Sequence, residues 1–272
     1  MPPVIKKIIA VIVILVIANV GFVWYGQASF DTTFQSLAKA FSENNATAAR
    51  QSNPPAPIAR QIERSKVAQN GYGTILLQLE GTYRRKPSSK AIGMHALALL
   101  RPTPDMLWAV RLESNPIVTF NALETYHGGR AKMQTMLFGI IPTGEFDSEA
   151  FAKSELTRVL AYALFNPALL ACECIAYEPV DAHRIRATIS DGGITATVLF
   201  ESDEKGDIVK VTSDDRVRPV KGGMAPAPWQ MTVQNYGDLD GLRIPVSVEE
   251  AWILEGKPAV YADYRVTSAK RL

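Results

Sequence analysis

An uncharged run of eighteen residues, Ile8 to Tyr25, constrains this chain more than any other stretch. It is apolar on every side, and Asn19 is its one clearly polar member. As a helix rising ~1.5 Å per residue it would span roughly 27 Å, close to the ~30 Å hydrocarbon core of a bilayer. Lys6 and Lys7 precede the run, and Trp24 and Tyr25 stand where interfacial aromatics belong. The pattern predicts a retained single-pass anchor in the inner (cytoplasmic) membrane, with the amino terminus cytoplasmic and the rest of the chain extracytoplasmic. A cleaved signal peptide is the competing reading, with Gly26-Gln27-Ala28 as a small-residue cleavage site. The run is longer than the usual ~7 to 15 residues of a signal core, however. No cysteine follows it to carry a lipid.

Behind the anchor, a 272-residue chain with 47% hydrophobic residues can bury a sizeable core. Lysine and arginine count 29 against 27 acidic residues, a net charge of +2, so bulk electrostatics give no sign of a nucleic-acid partner. Three parts are expected: an anchor over 1–29, a juxtamembrane helix and proline-rich linker over 30–57, and an extracytoplasmic body over 58–272. Phe30, Phe34, Leu37, Ala38 and Phe41 share one helical side, and Pro54, Pro55 and Pro57 make a stiff connector. Ile58 to Gln69 reads as another short helix.

From Gly73 the period changes to two. Ile75, Leu77, Leu79 and Tyr83 alternate with polar residues, and Ile92 to Leu100, Met106 to Leu112, Ile117 to Glu124 and Ala131 to Phe138 read as further strands. The basic loop Arg84-Arg85-Lys86-Pro87-Ser88-Ser89-Lys90 joins the first two; it reads as a solvated turn or as a contact for anionic headgroups. Met94 and Ala96 alternate with Leu97 and Leu99, and Met106, Trp108 and Val110 with Leu107 and Ala109. Such strands suit a sheet covered on both faces, or one lining an apolar cavity.

A helix then starts near Asp147 or Ser148 and ends at Asn166-Pro167, within an organising stretch from Glu155 to Leu170 whose last residues stay apolar. Ala152, Leu156, Val159, Leu160, Ala163 and Leu164 lie on one side of it, and Glu155, Arg158 and Tyr162 on another. Strands resume with the hairpin of Ile185 to Ile189 and Ile194 to Phe200 about Asp191-Gly192-Gly193, and Asp240-Gly241 marks a later one. Pro219 to Pro228 reads as a long loop. The fold class is α+β: a large curled antiparallel sheet, a half-barrel of about ten or eleven strands, with a helical insert after the fifth strand packed on its concave face.

Recognisable chemistry is sparse. There is no Gly-x-Ser-x-Gly, no phosphate-cradling loop, no dinucleotide fingerprint and no calcium loop, and no cofactor or metal is called for. His95, His127 and His183 stand far apart, so a catalytic set would have to assemble in space, for example from Glu155, Arg158, Tyr162 and a histidine. Cys172 and Cys174, one residue apart, read as two small apolar side chains poorly placed to bridge each other. Asp214-Asp215-Arg216 reads as a local ion pair, or with Arg216 as an anion contact. The candidate pocket lining is aromatic and cationic: Trp108, Phe120, Arg158, Tyr162, Phe165, Leu169, Arg216, Trp229 and Trp252.

Glu155, Leu156, Arg158, Leu160, Ala161, Ala163, Pro167, Ala168, Leu169 and Leu170, followed by Arg216, Pro228-Trp229, Tyr236, Gly241, Pro245 and Trp252, resemble the pattern of an uncharacterised bacterial membrane-anchored family, a domain of unknown function. Tyr162 stands where that family often has glutamate, and Phe165 where it often has tryptophan. The family is similar in architecture to the periplasmic lipoprotein-carrier half-barrel, which implies a curved sheet holding helices over an apolar cavity. Together these readings predict a binding module for a lipid, an acylated protein or another apolar ligand. A spatially assembled hydrolase or transferase, and a structural module that binds other envelope proteins, are the alternatives. The oligomeric state is open.

Overall fold

The computed structural model describes residues 2–43, 48–71, 73–115 and 118–272. Helix α1 (Pro3–Glu43) is followed by α2 (Ala56–Arg64) and α3 (Val67–Asn70). Six strands come next: β1 (Ile75–Tyr83), β2 (Ile92–Leu100), β3 (Met106–Glu113), β4 (Thr119–His127), β5 (Arg130–Leu137) and β6 (Ile141–Phe146). The central helix α4 (Glu149–Tyr162) and the short α5 (Pro167–Leu170) precede β7 (Ile175–Pro179), β8 (Arg184–Asp191), β9 (Ile194–Ser202) and β10 (Ile208–Ser213). A separate hairpin of β11 (Val217–Val220) and β12 (Gly223–Pro226) leads to β13 (Trp229–Leu239), β14 (Leu242–Leu254) and β15 (Lys257–Arg271). Thirteen strands form one antiparallel sheet in the order β6-β5-β4-β3-β2-β1-β15-β14-β13-β10-β9-β8-β7.

The sheet bends far enough for hairpins near its two ends to touch. The Gly129 amide donates to Asp191 Oδ2 at 2.9 Å, joining the β4–β5 turn to the β8–β9 turn. A Cβ on Gly129 would lie 2.5 Å from the Gly192 carbonyl oxygen, so the two turns close only because neither residue has a side chain. Helix α4 lies inside this curve, against β9 and β8 from one end and β5 and β4 from the other.

Two covers explain the two-sided apolar strands. On the inner face Met106, Trp108 and Val110 join the core that includes α4; on the outer face Leu99, Leu107, Ala109 and Leu123 are buried by Phe30 and Phe34 of α1. Each of those phenylalanines, about 95% buried, contributes on the order of 2 to 3 kcal/mol of apolar burial. The expected anchor and juxtamembrane helix are therefore one unbroken helix, whose first half is exposed and whose second half lies along the sheet. That exposed half is long and apolar enough to cross a membrane, with a mean hydropathy of 2.6 over its best eighteen-residue window.

Four expectations change. Fifteen strands replace ten or eleven, and α4 follows the sixth strand rather than the fifth. The extra strands are β6, β7 and the β11–β12 hairpin, which occupies the stretch expected to be loop; Pro142, Pro179 and Pro219 interrupt the alternation by which a strand is read. Cys172 and Cys174 are joined by a disulfide, the small loop between them being open enough to bring their Cα atoms to 5.1 Å. The expected strand start at Ile117 and the Pro116 turn signal lie outside the described residues.

Candidate functional site

Local signals set the central helix. Ser148 caps α4, its Oγ accepting from the Phe151 amide at 3.2 Å, and Glu149 stands in the first turn. Asn166 fixes the exit: its Oδ1 accepts from the Ala168 amide, and its Nδ2 donates to the carbonyls of Leu100 at 2.9 Å and Gly73 at 3.1 Å. Between these caps nearly every residue of α4 is buried, polar side as well as apolar side. The helix is thus a core element, and its Glu155, Arg158 and Tyr162 face the sheet rather than water.

Those three residues anchor two adjoining polar clusters. In the first, Arg158 Nη2 pairs with both Glu124 on β4 and Glu155 one turn back, while Arg216 Nη2 stands 3.7 Å from Glu155 Oε1. In the second, Glu250 on β14 accepts from Tyr162 at 2.6 Å and Tyr264 at 2.7 Å on one oxygen, and from Tyr261 on the other. A β-bulge permits the third contact. The β14–β15 register shifts after Glu250, leaving Tyr261 unpaired in the ladder and re-aimed to the inner face, where it also accepts from Trp229 Nε1 at 3.0 Å. Aromatic rings wall both clusters: Arg158 lies 5.2 Å from the Trp108 ring, and Arg216 lies 5.0 Å from Trp229 and 5.7 Å from Trp252.

Electrostatics follow from burial. Loss of water raises the Glu124 carboxyl from its ordinary value to about 7, with Arg158 opposing the shift and Glu155 adding to it. Burial, and then the Glu250 carboxylate, hold Tyr162, Tyr261 and Tyr264 well above the usual phenol range, so all three remain hydroxyl donors. Two guanidinium groups face three carboxyl groups here. Yet Arg216 Nε and Nη1 and Arg158 Nε, on side chains more than nine-tenths buried, have no hydrogen-bond partner among the described residues. Buried donors of this kind ordinarily find an acceptor.

The sheet and helix bring most of the expected site together. Trp108, Arg158, Tyr162, Phe165, Arg216 and Trp229 are buried on the inner face, Tyr162 touching both the Trp108 ring at 5.7 Å and the Phe165 ring at 5.2 Å. Trp252 is half-buried and stacks on Tyr261. Leu169 lies with α5 at the far exit of the helix, and Phe120 is exposed at the open end of β4. No histidine joins them: His127 pairs with Asp105 at 2.5 Å at the far turns, and His95 lies on the outer face beside Glu80 and Glu113. Asp215 pairs with Lys153 at 2.7 Å, which leaves Arg216 to the interior.

Glu124, Glu250, Tyr261 and Tyr264 were not expected at the site. Strand period could have found three of them: Glu250 shares its face with Val248 and Trp252, Glu124 with Ala122 and Tyr126, and Tyr264 with Ala262 and Val266. An acid in step with apolar residues marks a buried carboxyl group. Nothing in the sequence announces the bulge at Tyr261.

An open depression of about 330 Å³ lies at the start of α4, lined by Phe146, Ser148, Ala150, Val217, Met224 and Pro226. Its outer wall is the β11–β12 hairpin, tied to α4 by the Val217 amide donating to Ser154 Oγ at 3.1 Å. Another, of about 410 Å³, lies at the other end of the sheet among Pro57, Arg60, His183 and Asp203.

The structure so far defines a thirteen-stranded antiparallel sheet wrapped on a buried helix, behind a long apolar amino-terminal helix. The chain belongs to the family of unknown function DUF6544, which matches residues 44–264. No curated protein matches it. Among solved structures it is similar to a domain from Vibrio parahaemolyticus described as an outer membrane lipoprotein-sorting protein, at 12% identity and a TM-score of 0.43 over 79% of this chain and 93% of that one. It is also similar to a DUF1329 family protein from Desulfovibrio piger, at 9% identity and 0.44 over 79% and 93%, and to a LolA superfamily protein from Nitrosomonas europaea, at 9% and 0.43 over 84% and 94%.

Proposed function

We propose that this chain is a single-pass envelope protein whose half-barrel, from Ile58 onward, binds an acyl-chain amphiphile beside the membrane. The observation that carries the reading is the set of buried, unpartnered N–H groups of Arg216 and Arg158 within a wall of tryptophan and tyrosine rings. Such a surface suits an apolar body with one oxygen acceptor. The acceptor is an ester or amide carbonyl rather than a phosphate, because the two guanidinium groups are already matched by carboxyl groups and a further full negative charge would have no counter-charge of its own. Both a lipid and an acylated protein carry that carbonyl. The ligand's way in is the depression beneath the β11–β12 hairpin, beside Val217. The disulfide between Cys172 and Cys174 fits an oxidising compartment, which supports an extracytoplasmic body and a cytoplasmic amino terminus behind Lys6 and Lys7.

Photoactivatable acyl lipids supplied to the full chain in nanodiscs test the reading. Crosslinks are expected in the segment from Val217 to Trp229 and are lost with Arg216→Gln. A folded chain that crosslinks only through α1 would exclude it.

A hydrolase or transferase draws on Glu124, whose raised carboxyl is in range for proton transfer. Its partners within the site are Arg158 and Glu155 rather than a nucleophile, so binding is the better-supported reading.

A further inference from the structure

The outer half of α1 fixes which end of the sheet meets the bilayer. Gly26, one residue past the apolar run, packs so tightly on the β5–β6 turn that a Cβ there would lie 2.0 Å from the Phe138 carbonyl oxygen; a Cβ on Gly139 would likewise lie 2.5 Å from the Gly26 oxygen. Phe22, within the run, meets the Phe138 ring edge-on at 5.9 Å. From there α1 climbs the outer face to Phe41, whose ring lies 4.0 Å from the Arg101 guanidinium at the β2–β3 turn. Fifteen residues of helix cover about 22 Å, nearly the length of the strands it crosses. The β5–β6 turn therefore sits at the level of Trp24 and Tyr25, where the helix leaves the hydrocarbon.

Strand register carries the same end across the sheet. Leu137 pairs with Phe120, Phe120 with Leu112, and Tyr83 with Ile92, so the β1–β2 and β3–β4 connections lie at the end of the sheet where β5 turns into β6. The β1–β2 connection is the basic loop, with Arg85, Lys86 and Lys90 exposed and Arg84 half-buried. The β5–β6 tip exposes Ile141 at 43%; Phe120, which shares Leu137 with it as a ladder partner, is also 43% exposed, and Phe22, against the Phe138 ring, is 41% exposed. Phe138 holds φ of 57°, a left-handed conformation costly for a bulky side chain and kept where the surroundings impose it. Glu113, the nearby acid on β3, is balanced by Arg111 at 3.5 Å and stands 3.8 Å from the His95 ring.

We infer that this end of the sheet is a second membrane contact: the Phe138–Ile141 tip enters the headgroup boundary while Arg84, Arg85, Lys86 and Lys90 lie on anionic headgroups of the same leaflet. The occupant is the membrane that α1 crosses, because the exposed apolar surface of the tip is continuous with that of the helix. Basic side chains held within a Debye length of an anionic surface add attraction that salt weakens. The contact rests on the anchoring proposed above, and it would hold the inner face at a fixed height over the lipid.

The chain has no free cysteine among its described residues, so single labels can be placed cleanly. The full chain, carrying an environment-sensitive fluorophore at Val16→Cys, Ile141→Cys, Lys86→Cys or Arg130→Cys, is put into nanodiscs of phosphatidylcholine with or without phosphatidylglycerol and a lipid-borne quencher. Quenching is expected at Val16 and Ile141 in both lipids, at Lys86 only with phosphatidylglycerol, and not at Arg130 in the far turn. The Lys86 signal should be lost in high salt or when Arg84, Arg85 and Lys90 are changed to glutamine. Quenching at Val16 with Ile141 and Lys86 as dark to the quencher as Arg130 would overturn the contact and leave the anchor standing. Absence of quenching at Val16 would overturn both.

Discussion

The Tyr162 hydroxyl donates to Glu250 Oε1 at 2.6 Å, and through that bond the central helix is fastened to β14 across the interior. Tyr264 donates to the same oxygen and stands 3.2 Å from the Tyr162 hydroxyl, so the helix, β14 and β15 share one buried carboxyl group. Tyr162→Phe keeps the ring against Trp108 and removes one of three donors. A hydrogen bond to a buried charged group contributes about 1.5 to 3 kcal/mol, and denaturant unfolding of the chain in detergent should show a loss of that size. Tyr264→Phe should cost a similar amount, and the double change more than the sum, because with either hydroxyl present the buried oxygen keeps a donor and with both gone it has neither.

Leu160 is fully buried on α4. Leu160→Ala should cost about 2 to 5 kcal/mol in the same unfolding experiment, the transfer loss plus the cavity left behind. A change within about 0.5 kcal/mol would mean that the helix presents another side to its core.

Glu124 gives the fold a pH dependence of definite sign. Its folded carboxyl is raised from 4.5 to about 7, so between those values the folded chain holds a proton that the unfolded chain has released. Its contribution is complete below about 4.5 and is lost as pH rises toward 7, levelling off above. Glu124→Gln should flatten the slope of stability against pH in that window. A slope unchanged by the substitution would assign it to other groups.

Gly26 is where α1 meets the sheet with no room for a side chain. Gly26→Val should part the helix from the β5–β6 turn at a cost of about 1 to 3 kcal/mol. Hydrogen exchange would record this as faster exchange of the Phe138 amide, which donates to the Thr119 carbonyl at 2.9 Å, with the β13–β14 ladder unchanged.

Much of this architecture was legible in the residues, for physical reasons. The long apolar helix, the α4 cap and exit, and the hairpins at Asp191-Gly192-Gly193 and Asp240-Gly241 are written in local chemistry, and each appears in the structure. What was not legible depends on partners distant in sequence. The β11–β12 hairpin pairs only with itself and carries prolines, so it shows no alternating face. The second half of α1 looked like a separate juxtamembrane helix because its outer-face receptors, Leu99, Leu107 and Leu123, lie far along the chain. At the site, Arg158 and Tyr162 were expected from the helix, whereas Glu250 and Glu124 looked like ordinary polar residues on strands. Only the curl of the sheet brings them to the helix.

The proposed ligand, an acyl-chain amphiphile, is held on the inner face through Arg216 Nε and Nη1, which have no partner among the described residues. Native mass spectrometry of the full chain released from membranes, compared with Arg216→Gln, tests it most directly. An added mass of lipid or acyl chain is expected that survives delipidation of α1 and disappears in the variant while the disulfide and fold are retained. A wild-type chain carrying no such mass, or a variant carrying it equally well, would rule out binding through Arg216.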